Sequence, residues 1–223
     1  MPGAAGAIGS PVPTPVRGGP RGLLAVAALV AAGFVAGFVA PYLTLDPAQY
    51  GAFWPRRYWL LAHLAPGTLA LLLAPVVLWL GLTRTRLTLH RRLGKLYLAS
   101  VAASSAAAVA LALTNDYGVA YGIGLLGLAA AWVLTSGMAW YSVRRRDLDQ
   151  HRDWMIRSAV VSFAFVWFRI VLGAGFAFEF GTSQERFILA AWSCWSVPLL
   201  VTEVILQGRR VGRARSAAPV RPT

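Results

Sequence analysis

Histidine is the residue of this chain best suited to carry chemistry, and two of its three copies sit in a repeated passage. Trp79, Arg84, Leu87, His90 and Arg91 recur, sixty-one positions on, as Trp140, Arg145, Leu148, His151 and Arg152. Each copy lies where a long apolar run gives way to a basic loop and then to another apolar run. Imidazole is a good ligand for iron and zinc, and arginine pairs with carboxylates. A b-type haem held by two axial imidazoles requires two histidines at one depth on facing helices. His90 and His151 meet that requirement, with Arg91 and Arg152 beside them for the propionates. The same residues would serve as interfacial anchors, because basic side chains bind anionic lipid headgroups. Spacing alone does not choose between the two, so the cofactor stays open, with haem b as the candidate.

A zinc site is the other metal option. It takes about three protein ligands and a water when catalytic. His90 and His151 with Asp147, Asp149 or Asp153 would be needed, since His63 belongs at the opposite surface. Carboxylates beside arginines in loops are more usually solvated ion pairs. A second focus is intramembrane. His63 and Arg169 fall within apolar runs, where an ionisable group is costly and normally faces a bundle interior or polar cavity. Arg169 shares a helical stripe with Ser158, Ser162 and Gly173. Its expected partners are His63, Asp116 and Glu179, either as a structural ion pair or as a substrate or proton site. Glu203 is expected to pair with a basic residue near the inner surface.

These residues are positioned by a membrane bundle. The chain is 57% hydrophobic and 13% charged over 223 residues, where a soluble domain carries about a quarter charged residues. Six apolar runs of membrane-crossing length are expected near residues 22–43, 58–81, 93–114, 119–143, 154–178 and 187–206. All should be helices, because a lipid-exposed strand edge leaves backbone polar groups unsatisfied. The expected fold is therefore all-α: a six-helix transmembrane bundle with a weak internal repeat of two helical hairpins. Residues 1–20, rich in Gly, Pro and Ala, read as a disordered tail, residues 21–208 as the membrane domain, and residues 209–223 as a basic cytoplasmic tail. The first run is longer than a signal-peptide core and reads as a retained helix.

The net charge of +13 does not point to nucleic acid, because the bases lie in short loops rather than on one face. Placing both termini in the cytoplasm puts 17 basic residues inside and 3, Arg56, Arg57 and Arg186, outside. That is the orientation the positive-inside rule selects, here for a bacterial inner membrane. Cys194 is the sole cysteine, so no internal disulfide forms, and it reads as a small buried hydrophobe. Phosphate-cradling glycine loops, G-x-S-x-G elbows and H-E-x-x-H helices are absent from the sequence.

The passages HLAPG from His63, HRRLGKLY from His90 and HRDWMIRS from His151 resemble a bacterial family of uncharacterised predicted membrane proteins, a domain of unknown function. The resemblance runs from about Tyr58 to Leu206. The matching positions are His63, Gly67, His90, Arg91, Gly94, Tyr97, His151, Arg152, Trp154, Met155 and Arg157. It implies a helical membrane bundle and no settled activity. The layout is also distantly similar to helical membrane b-type cytochromes. Two bis-histidine haems would need four histidines, and three are present, so one haem is the limit. The expected function is that of a multi-pass membrane protein that binds a lipid or small ligand or supports a partner subunit or second copy. A single-haem redox subunit and a metal-dependent intramembrane hydrolase are the alternatives; whether it is an enzyme stays open.

Overall fold

The computed structural model describes residues 19–217, with side chains from residue 21 to residue 212. The predicted tail over residues 1–20 thus lies almost wholly outside the described residues. The elements are α1 (Gly19–Phe34), α2 (Pro47–Tyr50), α3 (Arg57–Thr83), α4 (Leu87–Leu113), α5 (Val119–Arg144), α6 (Leu148–Ser162), α7 (Ala164–Ala177) and α8 (Ser183–Ala217). Five helices are long and apolar enough to cross a membrane, or six when the bent pair α6–α7 counts as one span. The protein is an all-α, multi-pass membrane bundle.

Two departures from the predicted runs have physical causes. The fifth run begins six residues early and breaks at Phe163, where α6 and α7 diverge by 42°. Asp147 caps α6 by accepting from the Gln150 amide at 3.0 Å, which starts the helix inside the polar loop. The break also separates the expected stripe: Ser158 and Ser162 lie on one side of it and Arg169 on the other. The sixth run does not end near Leu206. Helix α8 continues to Ala217, so Arg209 and Arg210 are helical rather than part of a free tail.

Helices α3 and α4 form one hairpin and α5 and α6 the other, each joined by three residues, 84–86 and 145–147. Helix α3 packs on α6 as well as α4, and α4 packs on α5. These contacts close a ring of four helices, with α4 and α6 facing across its diagonal. The face carrying both hairpin loops is hereafter the basic face. Small residues make the close crossings. A Cβ on Gly122 would lie 2.8 Å from the Ala112 carbonyl, so α4 and α5 approach to backbone contact there. On the other side of α5, Gly124 and Gly127 leave room for Trp192 and Trp195 of α8. Their indoles donate to the carbonyls of Ala120 and Gly124 at 3.0 and 3.1 Å. Such indole bonds satisfy polar atoms that lipid could not.

Candidate functional site

The two repeated histidines are each the fourth residue of their helix, His90 on α4 and His151 on α6. His90 Nδ1 lies 3.1 Å from the Val77 carbonyl of α3, and His151 Nδ1 lies 2.8 Å from the Ala139 carbonyl of α5. A carbonyl only accepts, so Nδ1 carries the proton on both rings. Nε2 of each ring is left without a protein hydrogen-bond partner among the described residues. The rings meet across the diagonal with centres 6.2 Å apart and planes at 84°. Both are half-buried. The ring of His90 lies over Gly81, where a Cβ would come within 3.0 Å of Cε1. A Cβ at 81 would require the imidazole to give way by a few tenths of an ångström.

The arginines beside them are not equivalent. Arg152 bonds the carboxylate of Asp153 at 3.1 Å and lies 3.6 Å from Asp149. It is committed to carboxylates of its own helix. Arg91 is exposed and makes no ion pair among the described residues. Asp153 is buried and also takes Arg210 of α8 at 2.9 Å. One turn on, Arg157 donates Nε to Glu203 of α8 at 2.9 Å and stacks over Trp154 at 4.6 Å. These two pairs clamp α6 to α8, and Glu203 has the basic partner expected of it.

Two turns deeper, the repeat meets itself again. Tyr97 and Ser158 are sixty-one positions apart, and Tyr97 Oη lies 2.6 Å from Ser158 Oγ and 2.9 Å from Ser162 Oγ. Ser136 Oγ joins Ser158 at 2.7 Å, and Trp132 Nε1 donates to Ser162 Oγ at 3.0 Å. The network closes the diagonal beneath the imidazoles and satisfies every hydroxyl in it. Sequence reasoning assigned Ser158 and Ser162 to the stripe of Arg169. Their sixty-one-residue relation to Tyr97 and Val101 was a signal for the pairing.

In the other half lies a cavity of about 190 Å³ lined by residues of α1, α3, α4, α5, α6 and α7, among them His63, Asp116 and Arg169. His63 Nδ1 lies 3.0 Å from the Ser104 carbonyl and 2.9 Å from Ser104 Oγ, whose hydroxyl donates back to the His63 carbonyl at 3.0 Å. Arg169 stacks over Phe38 at 5.1 Å. Asp116 lies on the 114–118 loop and pairs with Arg56, not with Arg169. Glu179 stands in the loop between α7 and α8, exposed, with φ of 52°, and does not line the cavity. Of the four intramembrane polar candidates, three therefore share one cavity, and Glu179 lies apart.

Comparison with known proteins agrees with this architecture. A family model described as "Predicted membrane protein (DUF2306)" matches residues 60–206. The chain belongs to the DUF2306 family. The DUF2306 segment spans α3 to α8 as far as Leu206, and thus both hairpins, all three histidines and Arg157. Helix α1, which walls the cavity, precedes it. Neither the comparison with curated proteins nor that with solved structures gives a match.

Proposed function

We propose that this chain is a single-haem b-type membrane redox protein in which His90 and His151 would hold the haem iron. The observation that carries the reading is their meeting across the α4–α6 diagonal, each with Nδ1 anchored to a carbonyl and Nε2 bare. A metal–imidazole bond is about 2 Å, so two imidazoles that faced one metal through Nε2 would have ring centres roughly 6 Å apart. The separation found is 6.2 Å. The Nδ1–carbonyl bond is also the outer contact that fixes tautomer and orientation in metal-ligating histidines.

Haem fits the donor set better than a bare ion. Among the described residues no three His, Cys, Asp or Glu side chains converge. A catalytic zinc takes about three protein ligands, so the hydrolase alternative lacks support. Haem brings four nitrogens of its own and needs only two from the protein. The N-termini of α4 and α6 lie on the basic face, and the positive ends of their dipoles favour anionic propionates there. Arg91 is available to them; Arg152 is held by Asp149 and Asp153. When bound, the haem supplies one-electron chemistry. The protein's part is to fix the imidazoles, through Val77, Ala139 and Gly81, and to close the floor with Tyr97 and Ser158. The direct test is a reduced-minus-oxidised spectrum of protein purified from haem-replete cells. A b-type band at about one haem per chain is expected, and its absence overturns the reading.

Gly81→Ala tests the packing of the first imidazole. The added Cβ would displace the His90 ring, and haem retention should fall roughly tenfold, the lower range for loss of an outer-shell contact. Gly94→Ala, at a site with open space around the Cβ, should leave it unchanged. Equal retention in both variants would remove Gly81 from the site.

The orientation we infer places the basic face in the cytoplasm of a bacterial inner membrane, from the arginine distribution. In a Cys194→Ala background, Thr85→Cys on the exposed 84–86 loop should react with an impermeant maleimide only after the membrane is opened. Labelling of intact spheroplasts would reverse the assignment.

A further inference from the structure

The cavity in the half opposite the imidazole pair is not used by the proposed haem, and its chemistry is specific. Its wall is aromatic and aliphatic, yet polar groups stand at two depths. At the back, Ser105 is 4% exposed and its hydroxyl has no hydrogen-bond partner. A buried unpaired hydroxyl costs free energy that a ligand oxygen would recover. Near it His63, held at Nδ1 by Ser104, keeps a bare Nε2. At the opposite end Arg169 is exposed, beneath the exposed ring of Phe38. It has no carboxylate partner among the described residues. Exposed Arg169 of α7 and Phe38, just past α1, make that end the open side of the cavity. Helix α1 rests chiefly on α3 there and carries a π-helical turn, Val35–Val39, beside the opening. Such turns recur at functional sites.

Size narrows the occupant. A cavity of about 150 Å³ holds one benzene ring, so 190 Å³ holds a single substituted ring and not a whole lipid. A lipid with one charged head would need polar groups at one end only. Donors at both ends of an aromatic slot suit a flat ring with an oxygen acceptor at each end. The open side lets a hydrophobic tail stay in the bilayer.

We propose that this cavity binds the ring of a lipid-soluble quinone, one carbonyl at Ser105 and the other at Arg169, with the tail leaving past Phe38. The His63 Nε2 accepts a hydrogen bond from the hydroxyl of the reduced, hydroquinone form. This site does not rest on the haem, since no cavity residue belongs to the imidazole pair.

The test is calorimetric titration of the purified full chain in detergent with ubiquinone-1, alongside dodecanoate as an acid amphiphile without a ring. Saturable binding of ubiquinone-1 is expected. Ser105→Ala and Arg169→Met should each weaken it about tenfold, the scale of one lost hydrogen bond to a buried or charged group. Melting temperatures close to that of the parent protein establish that both variants are folded. His90→Ala should bind ubiquinone-1 as the parent does, which separates this site from the haem reading. Absent binding, or binding indifferent to both substitutions, overturns the proposal. So does dodecanoate binding more tightly than ubiquinone-1 with the same sensitivity to Arg169→Met, which would make the occupant a fatty acid.

Discussion

Protein carrying His90→Ala or His151→Ala is expected to purify with haem per chain reduced by more than about tenfold, while His63→Ala keeps the parent content. The contrast follows from placement. The rings of His90 and His151 meet with centres 6.2 Å apart, and removing either would leave only one protein ligand there for a haem. His63 is tied to Ser104 in the other half and has no second imidazole near it. Each alanine variant also empties a space the size of the lost ring. Imidazole added during haem reconstitution should restore part of the low-spin spectrum in both, because the missing ligand re-enters that space. A structural role for the histidines would predict lower yield without such rescue. The sinking outcome is an unchanged haem band in both single variants, which would put the iron elsewhere.

The repeat was the most legible part of this molecule, and the reason is physical. Where two copies of a hairpin pack side by side, equivalent residues of the two can meet. His90 with His151 and Tyr97 with Ser158 both lie sixty-one positions apart, so one number in the sequence predicts both contacts. The apolar runs were equally plain, since crossing hydrocarbon demands them. What escaped is what depends on side chains from several helices at once. The break at Phe163 follows neither proline nor glycine, so nothing in the local sequence marks it. The extension of α8 is supported by Arg210 reaching Asp153 of α6, a contact that sequence distance hides. The asymmetry of Arg91 and Arg152 was visible in principle. Thr88 and Arg92 of the first copy correspond to Asp149 and Asp153 of the second. Only the second arginine has acids on its own helix. The cavity was half legible: His63, Asp116 and Arg169 line it, though Asp116 pairs with Arg56 rather than Arg169, and Ser105 and Phe38 come from elements far apart in sequence.

The clamp between α6 and α8 carries the other large effect. Glu203→Leu should lower the melting temperature in detergent by about 5 °C, corresponding to roughly 1–3 kcal/mol for stranding a buried guanidinium whose partner carboxylate is itself 42% exposed. The cost lies with the partner left behind. The Arg157 side chain is 9% exposed, its Nη1 already lacks a hydrogen-bond partner, and Nε and Nη2 both rest on the Glu203 carboxylate. Without that carboxylate the guanidinium keeps only the face of Trp154, worth about 0.5–2 kcal/mol. Asp116→Asn provides the comparison. It weakens the Arg56 pair on the opposite face, where the Asp116 side chain is 61% exposed, and a pair so hydrated is worth at most about 1 kcal/mol. The double variant Arg157→Met with Glu203→Leu should recover most of the loss, because two apolar chains replace the pair without stranding a charge. The single variant should also loosen haem, since α8 holds α6 in place and α6 carries His151. Melting of Glu203→Leu within a degree or two of the parent would show that Arg157 finds another partner, and that the clamp does not position the imidazole.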